Sequence, residues 1–226
     1  TECHHIANTR YVSNNDMNKT RSSYRTVVLL TIIMFFFLNS CVTKKHLFNK
    51  AIFSDFQQLK IDKIIAFEKK NKSKDITPAY FIDIGEGIYP NTNKYKLEIA
   101  KAFKRKDKPK LELEIDYYYV IGDSSVKVIL YQWDELKTKK ANVFEDDKAK
   151  SSMFSIFQNK FNQLSDSLTK QLGNPFHKNI EQNITTDETF RDDVKWKGQN
   201  GLNAYLFMFG NNNNRYRQIS LAIYKD

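Results

Sequence analysis

Apolar residues recur at helical spacing in two stretches of the chain and alternate with polar ones through much of the remainder. Residues 47–59 place Phe48, Ile52, Phe53, Phe56 and Leu59 on one face, which predicts an amphipathic helix. The stretch 61–67 fits either a continuation of that helix or the opening of a sheet. Residues 79–84 read as alternating and end at the flexible Gly85-Glu86-Gly87 bend. Tyr95, Leu97 and Ile99 alternate with Lys94, Lys96 and Glu98, and Leu111, Leu113 and Ile115 alternate with Glu112, Glu114 and Asp116. After Gly122-Asp123-Ser124, Val126, Val128 and Leu130 supply the returning arm of a hairpin. A period of two predicts consecutive antiparallel strands with one face inward.

The charged stretch 137–150 has no clear period and is read as a connector. Beyond it Met153, Phe157, Phe161, Leu164, Leu168 and Leu172 form a continuous stripe of helical spacing. Ser151 or Ser152 is the expected cap, while Gly173 and Pro175 form the stop signal. Three strands are then expected. Phe190, Val194 and Trp196 share a face of the first, and Gly198-Gln199-Asn200-Gly201 makes a turn. Residues 202–209 are apolar on both faces, as a covered central strand would be. Asn211 to Asn214 makes the next turn, and Ile219, Leu221 and Ile223 point opposite to Tyr216 and Tyr224 on the last strand. The predicted architecture is α+β: helix, four strands, helix, three strands, with amphipathic helices packed on one face of an antiparallel sheet. The Leu172-Gly173-Asn174-Pro175 helix stop and the following Trp196 make the last third similar in outline to the repeats of secreted β-lactamase-inhibitor proteins. That likeness implies a small envelope module.

One apolar run has no period. Residues 27–38 follow Lys19, Arg21 and Arg25 and lead to Leu38-Asn39-Ser40-Cys41. As a helix this run would reach about 18 Å, short of the roughly 30 Å hydrocarbon core. A continuous run ending in Phe35-Phe36-Phe37 also lacks the polar face of a surface helix. The order of basic, apolar and small residues describes an export leader. With cysteine after the cut it resembles a bacterial lipoprotein signal, although Asn39 stands where a smaller residue is commoner. The resemblance implies that the leader is removed and that Cys41 carries fatty acyl chains such as palmitate, anchoring the protein to a membrane. Val42 follows in place of the aspartate that favours inner-membrane retention, which implies outer-membrane attachment facing the periplasm. On this reading residues 1–16 are an upstream artefact or leave with the leader, translation starts at Met17, 17–40 is the signal and 41–46 a tether. Residues 47–226 form a single domain with a candidate sub-boundary at 137–150.

Composition narrows the function classes. The 226 residues carry 36 basic and 26 acidic side chains, a formal charge of +10. Seven Gly and four Pro against 14% aromatic residues argue for regular structure around an aromatic-rich core. Cys3 and Cys41 are the only cysteines, so with Cys41 acylated no disulfide is expected. Lys101, Lys104, Arg105, Lys106, Lys108 and Lys110 surround a single acid, Asp107. The cluster reads as a solvated hairpin loop, with Pro109 opening the next strand, or as a patch for an anionic partner: lipid headgroups or an acidic protein face. Nucleic acid is not expected, because export removes the protein from it.

No catalytic, metal or cofactor pattern stands out. Past Cys41 only His46 and His177 remain, far apart, and Cys3-His4-His5 lacks the spaced ligand pairs of a zinc site. There is no Gly-x-Ser-x-Gly and no phosphate-cradling glycine loop. The carboxylates of Asp83 and Glu86, of Glu112, Glu114 and Asp116, of Glu145-Asp146-Asp147 and of Asp192-Asp193 read as solvated surface. Tyr117, Tyr119, Tyr131 and Trp133 read as sheet-stabilising pairs, or as a recognition strip if exposed. The expectation is a lipid-anchored, non-catalytic envelope protein that binds a protein or envelope component. An immunity or inhibitor protein neutralising a toxin or hydrolase is the alternative, ahead of a hydrolase using a carboxylate pair.

Overall fold

The computed structural model describes residues 56–136, 147–180, 189–198, 200–211 and 216–225, all within one compact unit, Phe48–Asp226. Its framework is one eight-stranded antiparallel sheet in the order β1-β2-β3-β4-β8-β7-β6-β5. The strands are β1 (Lys74–Asp75), β2 (Lys101–Asp107), β3 (Leu111–Tyr119), β4 (Val126–Glu135), β5 (His177–Asn179), β6 (Thr189–Lys197), β7 (Leu202–Asn211) and β8 (Tyr216–Lys225). Two α-helices accompany them among the described residues, α1 (Ile61–Lys70) and α2 (Asp147–Leu172). The fold is β-rich, which corrects the expected α+β alternation of helix, four strands, helix and three strands.

Each half of the sheet is a meander, and the two join where Val128–Trp133 of β4 pairs with Ile219–Tyr224 of β8. Strand alternation sorts side chains onto two faces. Leu111, Leu113, Ile115 and Tyr117 line the first with Ile129, Tyr131, Trp133, Leu206, Leu221 and Trp196, all essentially inaccessible. Helix α2 lies against β6, β7 and β8 through Met153, Phe157, Phe161, Leu164 and Leu168, all buried. Each fully buried Phe or Leu contributes roughly 1.5–3 kcal/mol. Thr169 accepts a hydrogen bond from the Trp196 indole at 3.2 Å, and Gly173 at φ +88° stops the helix. Lys160 extends the contact, pairing with Asp107 at 2.6 Å while Asp107 also accepts from the Trp133 indole at 2.8 Å.

The second face is also covered, though not by a helix. Tyr118, Val128, Leu130, Ala222, Tyr205 and Phe207 pack there with Ile84, Tyr89 and Ala100. The segment 76–100 crosses this face without regular strand structure. Strands expected at 79–84 and around Tyr95–Ile99 are therefore absent; only Leu97 makes an isolated bridge, to Val120. Pro78 lacks an N–H for a ladder, and of the apolar members of the two alternations Ile84 and Leu97 serve as cover for the sheet.

Other expectations shift with these. The helix predicted at 47–59 lies outside the described residues up to 55, and Phe56–Gln58 is a single 3-10 turn. The true helix is α1, which buries Ile61, Ile64 and Glu68. Helix α2 begins at Asp147, so Ser151 and Ser152 lie within it rather than capping it, and 137–146 of the expected connector lie outside the described residues. The strand β7 is buried on both faces from Leu202 to Met208, as its unbroken apolar run implies. No helix among the described residues is long and apolar enough to cross a membrane.

Candidate functional site

Where the crossing segment leaves the sheet edge, a cleft opens against the second face. Its volume is about 310 Å³, at the small end of ligand pockets, which run from roughly 300 to 1,000 Å³. Ile76, Pro78, Ile82, Ile84, Ile88 and Ala100 of the crossover and Ala102 and Leu130 of the sheet give it apolar walls. Asp83, Glu114, Asp116, Tyr118 and Gln132 supply its polar groups.

Local sequence explains each position. The alternation of β3 sends Glu112, Glu114, Asp116 and Tyr118 to the second face while its apolar partners point to the first. Register places Lys104 opposite Glu114, Ala102 opposite Asp116 and Leu130 beyond Asp116. The crossover is held at its start by hydrogen bonds from Ile76 N–H to the Ala102 carbonyl at 2.9 Å and from Ala102 N–H to Thr77 Oγ1 at 3.2 Å. Farther on, the Gly85 carbonyl accepts from Ile88 and Tyr89 N–H at 2.9 and 3.1 Å. That turn sets Ile84 and Tyr89 into the core and leaves Asp83 exposed at the mouth.

The electrostatics of the cleft are unequal. Lys104 Nζ bridges Glu112 at 3.4 Å and Glu114 at 3.5 Å. Burial alone would lower the Lys104 ammonium, but the two glutamates outweigh it and hold it above the ordinary lysine value. Among the described residues no cation pairs with Asp116 in this way. Burial first, and the Glu114 charge second, push its carboxyl from the aspartate value of 3.8 up to about 7. Pro78 and Ile82 line the cleft, and Tyr80, Phe81 and Ile82 of the same stretch are 69%, 46% and 49% exposed. Three adjacent large apolar residues left in water form a patch of the kind that marks interaction sites.

The predicted basic patch is redistributed. Residues Lys101–Asp107 form strand β2 rather than a loop, so their side chains divide between both faces. Lys104 is engaged by glutamates on the second face. Arg105 pairs with the fully buried Glu68, which also accepts from Tyr117 Oη at 2.6 Å and from Ser73 Oγ. Lys106, Lys108 and Lys110 remain exposed and Lys101 half-exposed. The expected loop shrinks to the turn 108–110.

Elsewhere the named residues lie apart. His177 on the edge strand β5 pairs with Asp193 of β6 at 2.9 Å. Asp192 and Asp193 are both buried, on opposite faces of β6. Ser125 donates to Asp123 Oδ1 at the β3–β4 turn. Tyr117, Tyr131 and Trp133 are buried on the first face, so they form no exposed recognition strip. Cys41, His46, Glu145 and Asp146 lie outside the described residues. Among the described residues no three of His, Cys, Asp or Glu converge as metal ligands.

Sequence reading grouped Glu112, Glu114 and Asp116 on one strand face but took that face as solvated. The signal that it is half-covered lies in the lysines: β2 and β3 carry opposite charges at paired positions, Lys104 with Glu114 and Lys106 with Glu112. Comparison with known protein families, with curated proteins and with solved structures yields no match.

Proposed function

We propose that this chain is a lipid-anchored, non-catalytic protein of the bacterial envelope that binds a protein or envelope component through the cleft of the second sheet face. The observation that carries the binding part is the coincidence of a walled cavity with the exposed Tyr80-Phe81-Ile82 stretch. The anchoring part rests on the leader that precedes Cys41. Outer-membrane attachment facing the periplasm follows from Val42 beside the lipidated residue.

The test has two arms. Cells fed radiolabelled palmitate should label the wild-type protein and not Cys41→Ala; equal label in both removes the anchor. Affinity capture from solubilised membranes should retain a specific partner that Tyr80→Glu with Phe81→Glu loses. A partner retained equally by that variant places binding elsewhere on the molecule.

One observation favours a second reading. A carboxyl pushed up to about 7 with a second carboxyl beside it is the arrangement by which glycan hydrolases keep a proton donor. If the cleft hydrolyses an envelope glycan, Asp116→Asn and Glu114→Gln each abolish turnover while the folded protein persists. Turnover retained by both variants removes this reading.

A further inference from the structure

The cleft has a chemistry of its own that narrows the occupant, and the inference rests on the binding reading above. Its walls are aliphatic on two sides, with Ile76, Ile82, Ile84, Ile88 and Ala100 from the crossover and Ala102 and Leu130 from the sheet. Its ionisable lining is acidic: Asp83 at the mouth, Glu114 and Asp116 on β3. The charged and titratable groups facing it are these three, Lys104 of β2 with its second partner Glu112, and Tyr118; from β4 it receives only Leu130 and the neutral Gln132. One lysine set against these carboxylates leaves a net negative cavity.

Asp83 comes from the crossover and Glu114 and Asp116 from β3, and among the described residues no three such groups converge as metal ligands do. A long, apolar stem that ends in a positive charge matches that lining, since such side chains bury their methylenes along apolar walls and keep the head beside polar groups. Ile82 lines the cleft and is continuous in the chain with the exposed Tyr80 and Phe81, so the stem arrives from a surface large enough to cover them. We propose that the cleft seats a lysine or arginine side chain presented by the partner protein, whose neighbouring apolar residues rest on Tyr80, Phe81 and Ile82.

The incoming cation does for Asp116 what Lys104 does for Glu112 and Glu114. It favours the ionised carboxylate, so binding releases a proton and tightens as pH rises from about 6 to 8. Hydrogen bonds to charged groups contribute about 1.5–3 kcal/mol, which corresponds to roughly a 10- to 100-fold preference for the cation over a neutral isostere.

The full chain in detergent micelles, with isoleucine methyl groups labelled, is titrated with two short leucine-flanked peptides. One has a central lysine and the other norleucine, the same stem without the charge. Shifts at the Ile84 and Ile88 methyls should show the lysine peptide binding at least about tenfold more tightly. Asp116→Asn combined with Glu114→Gln should bring the two peptides level, with an unchanged far-ultraviolet spectrum confirming the fold. Equal binding of both peptides by wild type, no methyl shifts with either, or a lysine preference that survives the double substitution overturns the inference.

A photo-crosslinking residue at position 80 in intact cells separates this from the broader reading. A partner captured equally by wild type and the double variant upholds binding at this surface and rejects the basic side chain. Absence of any captured partner, together with no lysine preference, rejects both.

Discussion

Replacing Asp116 by asparagine should stabilise the protein at neutral and alkaline pH and leave it unchanged in acid. In the folded chain burial, reinforced by Glu114, holds this carboxyl at about 7 against an ordinary value of 3.8. Between those values the unfolded chain carries a charge at this position and the folded chain a proton. Unfolding then releases a proton, and stability falls as pH rises. The contribution is whole below the unfolded value and is lost as pH passes through the folded one. At about 1.4 kcal/mol per pH unit the full difference is roughly 4 kcal/mol; water reaching the half-buried side chain reduces the expected gain to about 2–4 kcal/mol. Urea unfolding of wild type and Asp116→Asn at pH 4, 6 and 8 measures it. With a slope of about 2 kcal/mol per molar, the midpoints should coincide near pH 4 and separate by roughly 1–2 M at pH 8. Glu114→Gln should lower the Asp116 titration only partway, because burial is the larger cause. A gap of the same size at pH 4 and pH 8, or an Asp116 carboxyl seen by NMR to titrate near 4, refutes the reasoning.

Two further substitutions test the scaffold. Tyr117→Phe removes the hydroxyl that donates to the inaccessible Glu68 at 2.6 Å. It should cost about 1–3 kcal/mol, whereas Glu68→Ala, which strands Arg105, should cost about 3–5 kcal/mol; urea midpoints rank the two, and the opposite order would contradict the network. In the β7–β8 pair, a Cβ on Gly210 would lie 2.4 Å from the Tyr216 carbonyl and 2.9 Å from the Phe190 ring. Because the first of these is backbone, Gly210→Ala should cost about 3 kcal/mol in thermal or urea melts. Gly85→Ala, with nothing within 4 Å of its Cβ, should stay within about 0.5 kcal/mol of wild type.

Several elements are legible in the chain because their signal is local. The stripe from Met153 to Leu168 is the buried face of α2, and Gly173 at positive φ ends that helix where a side chain would be strained. Strands β3 and β4 follow the alternation of Leu111, Leu113 and Ile115 and of Val126, Val128 and Leu130 around a tight turn. The same alternation misleads at 79–84, which crosses the second face of the sheet instead of pairing along an edge. There Ile84 and Tyr89 instead close over Tyr118, Val128 and Ala222. The lysine-rich stretch before Pro109 reads as a loop until β3 is laid beside it, when Lys104 and Lys106 find Glu114 and Glu112 opposite.

Side-chain periodicity is fixed by backbone geometry within a few residues, so the sequence by itself determined where the long helix and the central strands run and which of their residues face inward. It also placed Glu114 and Asp116 on a common face. Only the tertiary structure decided that the segment 76–100, which leads into β2, folds back over that face, bringing Asp83 to the same cleft and withdrawing Asp116 from water. The physical reason is that desolvation depends on what covers a residue. Cover on an eight-stranded sheet is settled by which distant strands pair, and no local pattern encodes that pairing.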